Sequence, residues 1–228
     1  MRDEKLEIGQ SWLVALGFLL TGLGGAFAPW IWRDSVALQL TAPGLAEFVK
    51  FLPEVRSQQL QVQRLFFLLP LFWAMLAIPL LVENRKLRLP LWLRQALRLV
   101  VIPLALASLS PVWTPVILLI PEFRLQTFLA LIAIGLAICA PILKGLPFKL
   151  LIIFLTGAGI MSLMLPIWQF SLVQAALAEV YREPVALGWG WQLTAGGMVL
   201  SLAAGGWRAF LQGQEGIGAK IGRHKLAK

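Results

Sequence analysis

The sequence predicts an all-α, polytopic integral membrane protein: a six-transmembrane-helix bundle forming one domain over residues 1–228. Three observations predict it. Of 228 residues, 59% are hydrophobic and 14% charged, with a mean hydropathy of +0.79; a soluble domain keeps about a quarter of its residues charged. The charges sit in gaps between apolar runs, and those runs approach the ~20 residues that cross about 30 Å of hydrocarbon. Finally, fourteen of the twenty Lys and Arg residues lie in alternate gaps, on one side of the expected membrane.

Residues 1–11 are short and mixed in charge, and Trp12–Trp32 is the first span. Ala26-Phe27-Ala28 resembles a signal-peptidase site, but three acids precede the run, it outlasts an ordinary signal h-region, and Pro29 follows directly. A retained span is therefore expected. In the outer loop 33–64, Leu45, Phe48, Val49 and Leu52 fall at i, i+3, i+4 and i+7 with Glu47 and Lys50 off that face. Residues 43–66 are expected to lie as an amphipathic segment on the outer surface, interrupted at Pro53. The second span is 65–82.

The loop 83–98 carries Arg85, Lys86, Arg88, Arg94 and Arg98. After Pro90, residues 91–100 place Trp92, Leu93, Ala96 and Leu97 opposite Arg94, Gln95 and Arg98, predicting an interfacial amphipathic helix. The third span, 99–120, holds Pro103, Pro111 and Pro115 on roughly one face, and these are hinge candidates. Residues 121–124 read as a tight turn. The fourth span is 125–143, the fifth 150–170 and the sixth 189–211; an Ala-rich helical piece lies between the last two. Glycines in the basic tail 212–228 argue against order there.

Six spans put both termini on one side, and the Lys/Arg excess makes that side cytoplasmic in a bacterial-type inner or plasma membrane. Tryptophans agree: Trp12 and Trp207 fall at the inner boundary, and Trp30, Trp32, Trp168, Trp189 and Trp191 at the outer one. The net charge of +9 is thus topological and implies no nucleic acid.

The chemistry available is narrow. One cysteine, Cys139, and one histidine, His224, leave nothing for sites built on several Cys or His ligands, so no cofactor or metal is expected. No span has Asp, Glu, Lys or His near its centre, which argues against proton relays; Arg208 lies close enough to an end to snorkel. Paired carboxylates, a Ser/His/Asp set and a phosphate-binding glycine loop are all missing, so the chain is not expected to be an enzyme. Gly17, Thr21 and Gly25 recur every four residues in the first span, as do Gly197, Ser201 and Gly205 in the sixth. Such stripes let helix backbones approach closely, within this bundle or against a partner.

In outline this arrangement resembles the permease half of ATP-driven exporters, which have six spans, cytoplasmic termini and a helical element between spans two and three. The resemblance is architectural and rests on no residue pattern. It implies a permease subunit for an apolar or lipid-like substrate, partnered by other membrane or cytoplasmic subunits, an ATPase among them. Arg85, Lys86, Arg88, Trp92, Arg94 and Arg98 are then the expected contacts with a partner or with anionic lipid headgroups. The alternative is a non-catalytic subunit that packs into a large membrane complex, for example an energy-transducing one, and transports nothing.

Overall fold

The structure, a computed structural model, describes residues 2–34, 39–109 and 114–226. It is built almost wholly of helix: α1 (Arg2–Ala26), α2 (Ala42–Phe48), α3 (Pro53–Arg56), α4 (Leu69–Val82), α5 (Leu91–Ala107), α6 (Pro115–Leu119), α7 (Pro121–Cys139), α8 (Phe148–Tyr181) and α9 (Trp189–Leu226). A small antiparallel ribbon pairs β1 (Pro29–Ile31) with β2 (Leu40–Thr41). Among the described residues, four segments are long and apolar enough to cross a membrane, Gly9–Ala26, Arg64–Val82, Pro121–Gly145 and Phe148–Tyr181. By that measure the chain is a helical membrane protein.

Proline sets most of the boundaries. Leu52, Thr114, Ile120 and Leu146 each precede a proline and each is extended, with ψ between 132° and 151°, because the following ring disfavours helical backbone. The proline then opens the next helix at α3, α6 and α7, where its missing N–H costs nothing. Pro79, Pro103 and Pro166 instead lie inside α4, α5 and α8.

This punctuation changes the expected map. Residues 91–107 form one helix, so the interfacial helix and the start of the third span are a single element rather than two. That helix stops at Ser108, and the extended residues Thr114 and Ile120 break what was expected to be a continuous span over 99–120. Residues 121–124 are the first turn of α7, not a tight turn. Helix α8 runs on through the Ala-rich piece to Tyr181, and α9 continues as helix to Leu226 through the tail expected to lack order; no proline interrupts it. Among the described residues of the loop 33–64, helix is confined to α2, α3, a 3-10 turn at Val49–Phe51 and the start of another at Arg64–Leu68.

The long helices share two ends. Near one, Ser11 of α1 meets Arg208 of α9, and Arg98 of α5 meets the end of α7; this is the basic end. At the other, Gly190 lies against Ala28 and Pro29 beside the ribbon, and Ser108 at the end of α5 meets Gln126 of α7; this is the ribbon end. Helices α1 and α9 are thus antiparallel neighbours, as are α5 and α7.

Helix α4 is the axis. The segment Arg64–Val82 is 72% buried, against 33% and 28% for those containing α7 and α8. Around it α8 packs on α9, α9 on α1, α1 on α5, and α5 on α7. The core is the set of apolar side chains this ring presses onto α4, among them Phe18, Leu71, Met75, Ile78, Leu104 and Leu155.

Candidate functional site

At the basic end the cationic loop turns its arginines inward. Glu83 caps α4 with its carboxylate buried, since Leu93 and Leu97 on the buried face of α5 draw that helix over it. Arg94 Nη1 donates to Glu83 Oε2 at 2.9 Å, and Arg98 Nη1 lies 3.6 Å from Oε1. Arg98 also donates from Nε to the Ala137 carbonyl at 2.8 Å and from Nη2 to that of Ile138 at 3.3 Å. Those carbonyls close the C-terminus of α7, where backbone acceptors lack helical partners and the helix dipole favours a cation. Arg208, expected to snorkel, is buried; it donates to the Lys86 carbonyl and, at 2.9 Å, to Ser11 Oγ, which donates on to the Leu87 carbonyl. Of the six predicted contact residues, Arg94 and Arg98 therefore meet at one buried acid inside the fold. Trp92 lies 5.6 Å from Trp12, while Arg85, Lys86 and Arg88 line the surface.

The ribbon end holds a cluster that sequence reading missed. Arg64, 8% exposed, pairs with Glu47 at 2.8 Å and Glu122 at 3.5 Å, and donates to Gln126 Oε1 at 3.1 Å and the Glu122 carbonyl at 2.5 Å. Lys50 bridges Glu47 at 2.6 Å and Glu122 at 2.7 Å, and both cations lie over the Phe123 ring. Burial alone would lower the Lys50 pKa, but the hydrogen bonds to Glu122 and Glu47 outweigh it and hold the ammonium above its ordinary range. Glu47 and Lys50 were expected on an open polar face. Their α2 segment is instead strapped to α7, with both side chains largely covered. The signal available beforehand was an arginine, Arg64, abutting an apolar span with acids nearby; nothing in the spacing joined positions 47, 64 and 122.

The small residues divide. A Cβ added at Gly17 would lie 2.6 Å from the Gly197 carbonyl and the Ser201 nitrogen, and one at Gly197 would lie 2.6 Å from the Thr21 nitrogen. Gly17, Thr21, Gly197 and Ser201 therefore form the α1–α9 seam, with Gly24 against Thr194 further along. Gly25 faces Leu71 of α4, and Gly205 faces Ile152 of α8; those two do not meet each other, because the helices carry them round toward α4 and α8. Of the hinge candidates, Pro103 lies within α5, Pro115 opens α6, and Pro111 falls outside the described residues.

One gap remains in the ring around α4. Helices α7 and α8 are consecutive, yet each packs along α4 rather than along the other. Every residue of α4 is buried except Leu69, Leu76 and Leu80. These fall at i, i+7 and i+11, one narrow face at 3.6 residues per turn, and Leu65, half-buried too, lies in the 3-10 turn that leads into the helix. Since the other neighbouring pairs of the ring are in contact, that face looks out between α7 and α8. The result is a lateral apolar opening. Its ribbon end is bridged by the segment before α4, through Arg64 to α7 and through the Gln63 N–H, which donates to Gln169 of α8 at 2.8 Å. Its basic end is crossed by residues 140–147, where Asn84 Nδ2 donates to the Leu146 carbonyl at 2.9 Å.

No protein-family model matches the chain, and no curated protein or solved structure matches it either. Among the described residues, no group of three or more His, Cys, Asp or Glu could hold a metal ion.

Proposed function

We propose that this chain is a non-catalytic subunit of a larger membrane assembly. In this reading α1, α4, α5, α7, α8 and α9 all cross the bilayer, with the basic end and both termini cytoplasmic. The observation that carries it is the inward turn of Arg94 and Arg98 to Glu83 and the α7 carbonyls. Cations placed for a soluble ATPase would face the cytoplasm; these hold α4, α5 and α7 together. What the fold offers a partner is the apolar surface of α7 and α8, where Phe128, Leu131, Ile153 and Phe154 are each at least 60% exposed. The Lys/Arg asymmetry supports the orientation. The depth of α5 supports its crossing: it reaches from the α7 C-terminus to Gln126 near its start although it is only 17 residues long.

The deciding experiment replaces Arg94 and Arg98 together by Lys. Lysine keeps the charge but loses the planar fork that Glu83 and the carbonyls engage. Lower thermal stability of the isolated chain in detergent, matched by the same fractional loss in complex recovery, is expected. Unchanged stability with lost recovery would instead make the loop a docking surface and restore the permease reading. Reporter fusions after residues 60, 120 and 180 are expected outside, and after 90, 146 and 225 inside; reversal at two or more sinks the orientation.

A second reading keeps the chain as a permease subunit for an apolar or lipid-like substrate. The lateral opening along α4 favours it, since such a substrate enters from the bilayer. Its test is ATP-dependent movement of a labelled lipid in vesicles holding the whole complex, absent when the chain is omitted.

A further inference from the structure

We propose that the opening between α7 and α8 is a binding site for one anionic phospholipid, with an acyl chain laid along α4 and the phosphate at its basic end. Three features of the opening converge on that ligand. The floor is purely apolar, Leu65, Leu69, Leu76 and Leu80. From Leu69 to Leu80 alone it runs roughly 17 Å at ~1.5 Å per residue, already the ~15 Å depth of one leaflet. A chain lying there buries surface that the ring of helices otherwise leaves uncovered.

The basic end supplies the charge. Residues 140–147, which cross the opening level with Asn84, are flanked by Lys144 and Lys149, both exposed and neither in an ion pair. They differ in this from Arg94, Arg98 and Arg208, which are engaged within the fold. Between the two lysines α8 begins after Pro147, with no side chain capping its first turn. The free N–H groups of that turn and the positive end of the helix dipole add to the same field. Basic pockets between membrane helices on the cytoplasmic side bind phospholipid headgroups by this combination. A zwitterionic lipid would fill the same apolar floor without the net charge, so selectivity for anionic headgroups is the distinguishing property.

The test uses the isolated full chain, so its outcome is independent of whether the protein joins an assembly. The chain is loaded with phosphatidylglycerol or phosphatidylcholine of identical acyl chains, and bound lipid is counted by native mass spectrometry as detergent is raised. One phosphatidylglycerol is expected to be retained on the order of tenfold more strongly than phosphatidylcholine, as two lysines beside a phosphate imply. The Lys144→Gln, Lys149→Gln protein is expected to lose that preference. An Arg85→Gln, Lys86→Gln protein, which removes the same charge from the same end, is expected to keep it. Leu76→Trp fills the floor and is expected to release both lipids, its fold checked by helicity and melting temperature. Three results would overturn the site: equal retention of the two lipids by the wild-type chain, which leaves ordinary boundary lipid or a partner helix as the covering; an equal loss in the Arg85, Lys86 variant, which leaves only bulk charge; and full retention in folded Leu76→Trp, which puts the lipid elsewhere.

Discussion

The two sides of the bundle are held together in different ways. On the α1–α9 side, backbones meet over Gly17, Thr21, Gly197 and Ser201, and no room is left for even one methyl group at either glycine. On the α7 side, helix α7 lies against α5 and α4 and is tied at its two ends, by Arg98 and Glu83 at one and by Arg64 and Gln126 at the other. Its outer face stays open, and so does the space between it and α8. A seam made of close backbone contact tolerates nothing inserted; a wall tied at its ends leaves its middle accessible. In a bilayer the first is a structural joint, and the second is where another molecule fits.

The largest effect is expected at the seam. Gly197→Leu would drive a side chain into the Thr21 nitrogen and the Gly17 carbonyl, backbone atoms that cannot step aside. A loss of more than about 3 kcal/mol is expected, the upper range for overpacking. Gly196→Leu, next door on α9 with open space around it, is expected to cost nothing. Thermal unfolding of the two proteins in the same detergent checks this; similar melting temperatures would mean that the seam is not tight.

Next in size is the tie at the basic end. Removing the charge in Glu83→Gln leaves two arginines facing a neutral amide. Breaking a buried pair costs about 3–5 kcal/mol, but Arg94 and Arg98 keep 32% and 18% side-chain exposure, and Arg98 keeps its bonds to α7. About 2 kcal/mol is expected. If the loss falls below that of Glu122→Gln at the ribbon end, the basic loop is not what anchors α7.

What the sequence made legible follows from locality. The four-residue spacing of Gly17 and Thr21, and of Gly197 and Ser201, could be read because a stripe on one helix is a local pattern. Which helix each stripe faces is tertiary, and Gly25 and Gly205 therefore went to other partners. The charge asymmetry was visible, but not that Arg94 and Arg98 pair with Glu83, because exposed and inward arginines share one spacing on an amphipathic helix. The break at Thr114 was readable from Pro115 alone, yet the hydropathy of 99–120 outweighed it. Neither the ribbon-end cluster nor the opening had a signature: the first joins three distant segments, and the second comes from two helices, alike in composition, that each pack on α4 more than on one another.

The ribbon-end tie is expected to be weaker, because its members share their charges and reach solvent. Glu122→Gln removes a carboxylate that is 43% exposed, while Arg64 keeps Glu47 at 2.8 Å and the Glu122 carbonyl, which the substitution leaves in place. Below about 1 kcal/mol is expected, the scale of partly exposed pairs.

Lys50 gives the smallest effect and a direction in pH. Its ammonium is held above its ordinary pKa by Glu122 and Glu47 against the opposing cost of burial. A group whose folded-state pKa is raised contributes stability that is fully present below the unfolded value and is lost as pH rises through the folded one. Lys50→Met keeps much of the stem that packs on Phe123 but has no charge. The wild-type protein is therefore expected to melt slightly above Lys50→Met at neutral pH, by less than about 1 kcal/mol in stability. That margin should shrink only when pH climbs past the ordinary lysine range. Comparing the two proteins at each pH cancels the groups they share, Tyr181 among them. A margin that stays constant as pH climbs past that range would show that Lys50 acts through packing on Phe123 alone, and the strap between α2 and α7 would then be apolar rather than ionic.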